Sequence, residues 1–236
     1  MSSIFPAWSE MIAALALFFA SHILPARPAI RKWLRAVLGP SLHLVLYSGV
    51  SLAILGWLIV AAGRAPYVEL WPIAAWQFWV PNITMPLACL LIAGGVVAPN
   101  PFSIAGRDIW RFDPARPGMA GVTRHPLIWA LTLWALSHLI PNGDLAHVVL
   151  FGLFAAFGLI GMVAMDARLR RQWGERVWAE RSRRTSFFPF AAIVGGRLAI
   201  KQLSLDWRPL AMAMALYAAA IALHPWIIGV SPLPIN

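Results

Sequence analysis

Cysteine is nearly missing from this chain. Cys89 is the only one among 236 residues, so no internal disulfide can form and no cysteine cluster can hold a metal. With a single cysteine there is no Cys-x-x-Cys-His run, which excludes covalent attachment of haem. Charge is scarce too: 12% of residues are Asp, Glu, Lys or Arg, about half the usual globular share. Acids are scarcer still, nine in all. The only acids close to the apolar runs are Glu10, Asp144 and Asp166, too few to supply the clustered ligands of a zinc site. There is no Gly-rich phosphate loop, no Ser-His-Asp constellation, no strand-period alternation and no evident internal repeat.

What the chain has is apolar residues. They make up 60% of it, and the mean hydropathy is +0.72. A soluble domain of this size could not hide that much apolar surface from water. Disorder is excluded by the same numbers. An integral membrane protein remains, and thirteen Trp residues suit aromatic belts at the membrane surface.

A spanning helix needs about 20 mostly apolar residues, and charge-free gaps mark six candidates. They run roughly Ala7–Leu24, Ser41–Ala62, Phe78–Ala98, Pro126–Ile140, Leu145–Met165 and Pro209–Gly229. Ser9 is a start signal for the first span. Pro81 and Pro86 predict a kinked or interfacial start for the third. Pro126 is a good first-turn proline for the fourth, which is short. The Pro141-Asn142-Gly143-Asp144 break joins spans four and five in a tight hairpin, and Asp144 is placed to cap span five. Beyond it, Asp166 to Trp178 reads as a basic amphipathic helix extending into the cytoplasm. Thr185-Ser186-Phe187-Phe188-Pro189-Phe190 reads as an apolar turn at the surface.

The loops after spans one, three and five carry four, four and ten basic residues, which is all of the 19 except Arg64. Arg27, Arg31, Lys32 and Arg35 form the first group; Arg107, Arg111, Arg116 and Arg124 form the second. The positive-inside rule makes that side cytoplasmic and both termini external. The expectation is an all-α membrane protein of six transmembrane helices, a single domain over residues 1–236. Its first span is not a cleaved signal peptide, because its start has no basic residues and further spans follow. The net charge of +10 does not point to nucleic acid, because no basic domain stands free of the membrane. It suits anionic headgroups, worth about 1 kcal/mol per basic residue near the surface.

Polar groups inside spans are costly and are functional suspects. Of the six histidines, His22 lies near the cytoplasmic end of span one with Leu15, Phe18 and Phe19 at helical spacing. His138 lies in the outer part of span four, with Trp134 and Asn142 four residues to either side. His125 opens span four inside Thr123-Arg124-His125-Pro126, and His43 opens span two. His147 and His224 sit near the external surface. Two histidines on different helices could ligate haem iron from both sides. A histidine in a membrane helix can equally be a hydrogen-bonding group between helices.

Several stretches together resemble the NnrU family of bacterial membrane proteins and, more distantly, the zeta-carotene isomerase branch. They are Ser21-His22 with Arg31, Leu38-Gly39 and Tyr47-Ser48; Gly121 to Pro126; Trp134-Ala-Leu-Ser-His138; Asn142-Gly-Asp144; Arg170 to Gly174; and Thr185-Ser186 with Pro189-Phe190. The order, over about residues 20–195, carries the resemblance. It implies a bacterial inner (cytoplasmic) membrane protein involved in denitrification, in the expression or activity of nitrite and nitric oxide reduction. The partners it implies are reductase components or a hydrophobic small molecule. The isomerase branch implies haem b held by histidines at His22 and His138, and isomerisation of a central cis double bond. The cysteine of that branch, three residues before its second histidine, is Ala135 here, so no thiolate can switch onto iron from that position.

Arg124-His125-Pro126, followed by Asp166, Trp173-Gly174 and Pro189, also resembles the isoprenylcysteine and phospholipid methyltransferases. That resemblance implies S-adenosylmethionine held at the cytoplasmic surface by His125 and a later acid. The departures are Ala130 for a glycine and Asp166 for a glutamate pair. A non-catalytic membrane scaffold is the third reading.

The second haem ligand stays open between His138 and His125. Span one runs inward and span four outward, so His22 and His125 both fall near the cytoplasmic surface. His138 is 13 residues past His125, about 20 Å along the helix at ~1.5 Å per residue. It also points ~140° away around the helix. A bis-histidine iron needs its two nitrogens about 4 Å apart, each ~2 Å from the metal. Depth favours His125; the resemblance names His138.

Overall fold

The computed structural model describes residues 4–104, 109–203 and 207–234; Arg107 and Asn236 lie outside them. The described regular structure is helical apart from isolated bridge residues, among them an antiparallel bridge between Glu69 and Asp144. Contacts divide the chain into two units. The first runs to Trp71 and includes Asp144–Leu150; the second holds Pro72–Gly143 and the chain from Phe151 on.

In the first unit, α1 (Ile4–Ala26), α2 (Pro28–Leu38) and α3 (Pro40–Arg64) follow one another with single-residue breaks. Each break precedes a proline, which disfavours the helical conformation in the residue before it. Arg27 is extended (φ −63°, ψ 132°). Gly39 takes φ +73°, which costs a glycine nothing. α1 and α3 pack together. Met11, Ala14 and Phe18 are the buried stripe of α1, and Ile54, Leu58, Ala61 and Ala62 that of α3. Glu10 ties the two, accepting from Trp57 Nε1 at 3.1 Å and facing Arg64 Nη1 at 3.5 Å. α1 begins at Ile4, so Ser9 lies inside it and does not start it. Pro6 falls in its first turn, where a missing N–H is tolerated. The loop after α3 meets the start of α7 (Leu145–Trp173), with Leu145 N donating to Val68 O at 2.9 Å. Asp144 caps that helix as its sequence position predicts, Oδ1 accepting from His147 N at 3.2 Å.

The second unit is built on α4 (Trp79–Val97). It packs on α6 (Pro126–Leu139) and on α10 (Trp207–Ile227), with the short α5 (Met119–Val122), α8 (Glu175–Ser182) and α9 (Ala191–Val194) in the connections. One face of α4 places Ala88 and Leu91 against Trp129, Ala130 and Met162; another places Cys89 and Ala93 against Ala213. Gly95 lets α6 approach, since a Cβ there would stand 2.9 Å from the Pro126 ring. Pro86 sits inside α4, where its missing N–H leaves the Asn82 carbonyl without its helical donor. Tyr217 Oη of α10 donates to that carbonyl at 3.2 Å, so the proline is accommodated in a continuous helix. α7 runs unbroken past Asp166 to Trp173, and Gly174 (φ +77°) separates it from α8.

Five helical stretches among the described residues are long and apolar enough to cross a bilayer: Trp8–Ala26, Ser41–Arg64, Ala75–Val97, Leu145–Trp173 and Trp207–Ile227. α6 is apolar but has only 14 residues, about 21 Å at ~1.5 Å per residue.

Candidate functional site

The Arg-His-Pro segment lies in the second unit. α5 ends at Thr123, which is extended, and Pro126 opens α6 at its first position. Between them Arg124 and His125 are clamped by residues 185–190, which run alongside. Ser186 N donates to Ala120 O, Arg124 N to Ser186 O and Phe190 N to Val122 O, at 3.2, 2.7 and 2.9 Å. Ser186 Oγ donates to Gly121 O at 2.7 Å, and Trp129 Nε1 to Phe187 O at 2.9 Å. Thr185 and Ser186 are fully buried, while Phe188 and Phe190 are exposed. The stretch expected to be a surface turn is thus a strap across the site. Its backbone groups are satisfied by the α5 loop, which the local sequence could not reveal.

Asp166 of α7 closes the cluster. The Arg124 guanidinium donates to it through Nε (3.1 Å) and Nη2, and reaches Thr185 Oγ1 through Nη1 at 3.1 Å. Trp178 and Phe187 flank that guanidinium at 5.5 and 5.8 Å. His125 Nε2 lies 2.8 Å from Asp166 Oδ1. An ionised carboxylate only accepts, so Nε2 carries the proton and donates. The imidazole is wholly buried, and its Nδ1 has no hydrogen-bond partner. Each charge here is matched within the cluster: the site neutralises Asp166 and fixes His125 but leaves Nε2 no free lone pair.

His22 and His138 are presented differently, and alike. His22 Nδ1 donates to the carbonyl of Phe18 at 2.8 Å, and Ser21 Oγ donates to the same oxygen at 2.8 Å. His138 Nδ1 donates to the carbonyl of Trp134 at 2.8 Å, and Ser137 Oγ to that oxygen at 3.0 Å. A carbonyl only accepts, so each Nδ1 carries a proton, and a ring singly protonated there has its lone pair on Nε2. A histidine ligand usually has this second-shell arrangement, an N–H tied down so that the other nitrogen is aimed and made more basic. Aromatic rings pack on both: Phe18 and Tyr47 at 4.2 and 5.7 Å from His22, Trp134 and Phe151 at 5.7 Å from His138. The signal was in the sequence as a repeated aromatic-x-x-Ser-His, Phe18 to His22 and Trp134 to His138, too short to register as a repeat.

The other histidines serve differently. His43 lies against Tyr47 at 6.2 Å. His147 Nδ1 donates to Asp144 Oδ2 at 2.7 Å, and His224 Nδ1 to Val230 O at 2.8 Å. Among the described residues no group of three or more His, Cys, Asp or Glu is placed to hold a metal ion. Haem needs no such group, since the protein supplies only axial ligands. His125 and His138 belong to α6 and its cap, about 20 Å apart along the axis at ~1.5 Å per residue, so one iron takes only one of them.

The family model described as NnrU protein matches residues 10–232. The 15-cis-zeta-carotene isomerase, chloroplastic, of Zea mays is 25% identical over 197 residues, covering 80% of this chain and 52% of that protein. The chain thus spans about half the length of this relative. No solved structure matches it.

Proposed function

The chain belongs to the NnrU family, and from that premise we propose a multi-pass membrane protein that binds haem b without covalent attachment, with His22 and His138 as its candidate ligands. The observation that carries this reading is the shared presentation of the two rings, each with Nδ1–H held by the carbonyl four residues earlier. His138 is preferred to His125 as a ligand because His125 spends its Nε2 on Asp166. His22 and His138 would hold the group, and it would supply redox chemistry whose potential the ligating histidines tune. This chain's residues orient the imidazoles through the carbonyls of Phe18 and Trp134 and pack aromatic side chains on both rings.

The biological role proposed is in nitrogen-oxide metabolism at the bacterial cytoplasmic membrane. A hydrophobic polyene is the substrate class suggested by the name of the maize relative. Ala135 is buried against Phe151 and Ala155 and offers no sulfur, so any isomerase-like chemistry here proceeds without a thiolate at that position. We further propose six crossings with both termini outside.

The test is the spectrum of the purified protein with its haem quantified. Stoichiometric haem with a Soret band is expected, and His22→Ala should lose most of it while the protein still inserts. A haem-free protein that haem does not saturate would end this reading.

Methyl transfer is the second reading, favoured by one observation: Arg124, His125 and Asp166 form one cluster. It expects S-adenosylmethionine to bind at that cluster and His125→Ala to abolish binding. Calorimetry without heat at millimolar cofactor would retire it.

A further inference from the structure

The connection between α1 and α3 is an amphipathic helix with unbalanced charge. At about 100° per residue, Arg31, Lys32 and Arg35 of α2 share an arc of about 100°. Ile30, Trp33, Leu34, Val37 and Leu38 fill the opposite side. Ile30, Leu34 and Leu38 are half-buried, whereas Trp33 and Val37 are 62% and 63% exposed. Half of the apolar side thus packs within the first unit, and the rest is an exposed apolar stripe.

Within its own unit the basic arc has no acid near it. Residues 11–68 contain no Asp or Glu. The acids of this unit are Glu10, Glu69 and Asp144. Glu10 lies near the start of α1, where it meets Trp57 and Arg64 near the end of α3. Glu69 and Asp144 pair beyond that same end of α3. α2 follows the other end of α1, so Arg27, Arg31, Lys32 and Arg35 stand a helix length away from every acid of the unit. Cations with no ion pair among the described residues, beside an exposed Trp and Val, define a surface with two demands: anions on one side and an apolar medium on the other. The headgroup and acyl boundary of an anionic bilayer meets both.

We propose that α2 is an in-plane anchor that lies in the membrane interface and binds anionic phospholipid, its basic arc on the phosphates and its Trp33–Val37 stripe among the acyl chains. The two proline-marked breaks allow this, because they free an 11-residue helix from the axes of its neighbours. This is independent of haem, and it assigns a ligand to the stretch that charge alone marks as a loop.

The experiment uses the full chain in nanodiscs of phosphatidylcholine, with and without about one third phosphatidylglycerol. The wild type is expected to retain phosphatidylglycerol over phosphatidylcholine in native mass spectrometry and to melt higher in the mixed discs. The variant R31Q/K32Q/R35Q should lose that preference, on the order of fivefold per residue removed. Labelling keeps the proposal testable if that variant misfolds. In a Cys89→Ala background, Trp33→Cys should react with a water-soluble maleimide far more slowly than Arg35→Cys in mixed discs. Equal retention of the two lipids by the wild type, or equal labelling at the two sites, would overturn the proposal. So would protection of position 33 that ignores phosphatidylglycerol, the outcome expected if a protein partner covered the stripe.

Discussion

At the residue scale, the choice between His138 and His125 turns on where each ring keeps its lone pair. His138 Nδ1 donates to a carbonyl, which puts the ring's lone pair on Nε2; His125 Nε2 donates to Asp166 and its remaining nitrogen is buried. His138→Ala should therefore change or abolish the haem spectrum. His125→Ala should keep it, yet cost about 1–3 kcal/mol by removing a donor to a partly buried carboxylate, seen as a lower melting temperature in detergent. The reverse result assigns the iron to His125. Asp144→Ala removes the cap of α7 and should cost about 1 kcal/mol, measured by the same melt. The cap was legible because the code is local: an Asp one position before the helix. The Arg124–Asp166 pairing was not legible: the methyltransferase resemblance put His125 and a later acid around a cofactor, and 42 residues of chain separate Arg124 from Asp166. Which nitrogen each histidine exposes was not legible, because it depends on hydrogen bonds to backbone oxygens that no residue type announces.

At the element scale, glycine positions of the second unit differ sharply in what they tolerate. A methyl at Gly95 would meet the Pro126 ring at 2.9 Å and Leu127 at 3.2 Å, whereas nothing lies within 4 Å of one at Gly161. A proline ring cannot rotate away, so Gly95→Ala should push α4 and α6 apart and cost about 1–3 kcal/mol. Gly161→Ala lies in the helix α7 with open space and should be neutral or gain up to about 1 kcal/mol of helix propensity. Thermal unfolding of the pair checks this; equal effects would contradict the close approach at Gly95. Helix existence was largely readable, because stretches without charge and long enough to span are rare by chance. Boundaries were less so: the first helix begins five residues before Ser9, and α2 was hidden in a stretch that its basic residues mark as loop. Its apolar positions do recur at helical spacing, and weighing periodicity against charge would have found it.

At the scale of the whole molecule, the question is whether α6 crosses. Its 14 residues span about 21 Å, short of a hydrocarbon core of about 30 Å. Yet if α6 stayed on one side, the ten basic residues from Arg168 to Arg208 would lie outside with Arg64, against eight inside. With α6 crossing, Arg64 alone is outside. Mismatch costs a fraction of a kcal/mol per Å, relieved by local thinning and by flanking residues. Exporting ten basic residues breaks the strongest orientation signal a membrane chain carries. The charge term therefore wins, and α6 is expected to cross despite its length. Reporter fusions decide it. A fusion at Pro117 and one at Asn142 should report opposite sides, with Pro117 cytoplasmic. Fusions at Arg183 and at Pro234 should also be opposite, with Arg183 cytoplasmic. If Pro117 and Asn142 report the same side, α6 does not cross, and the positive-inside asymmetry fails for this chain.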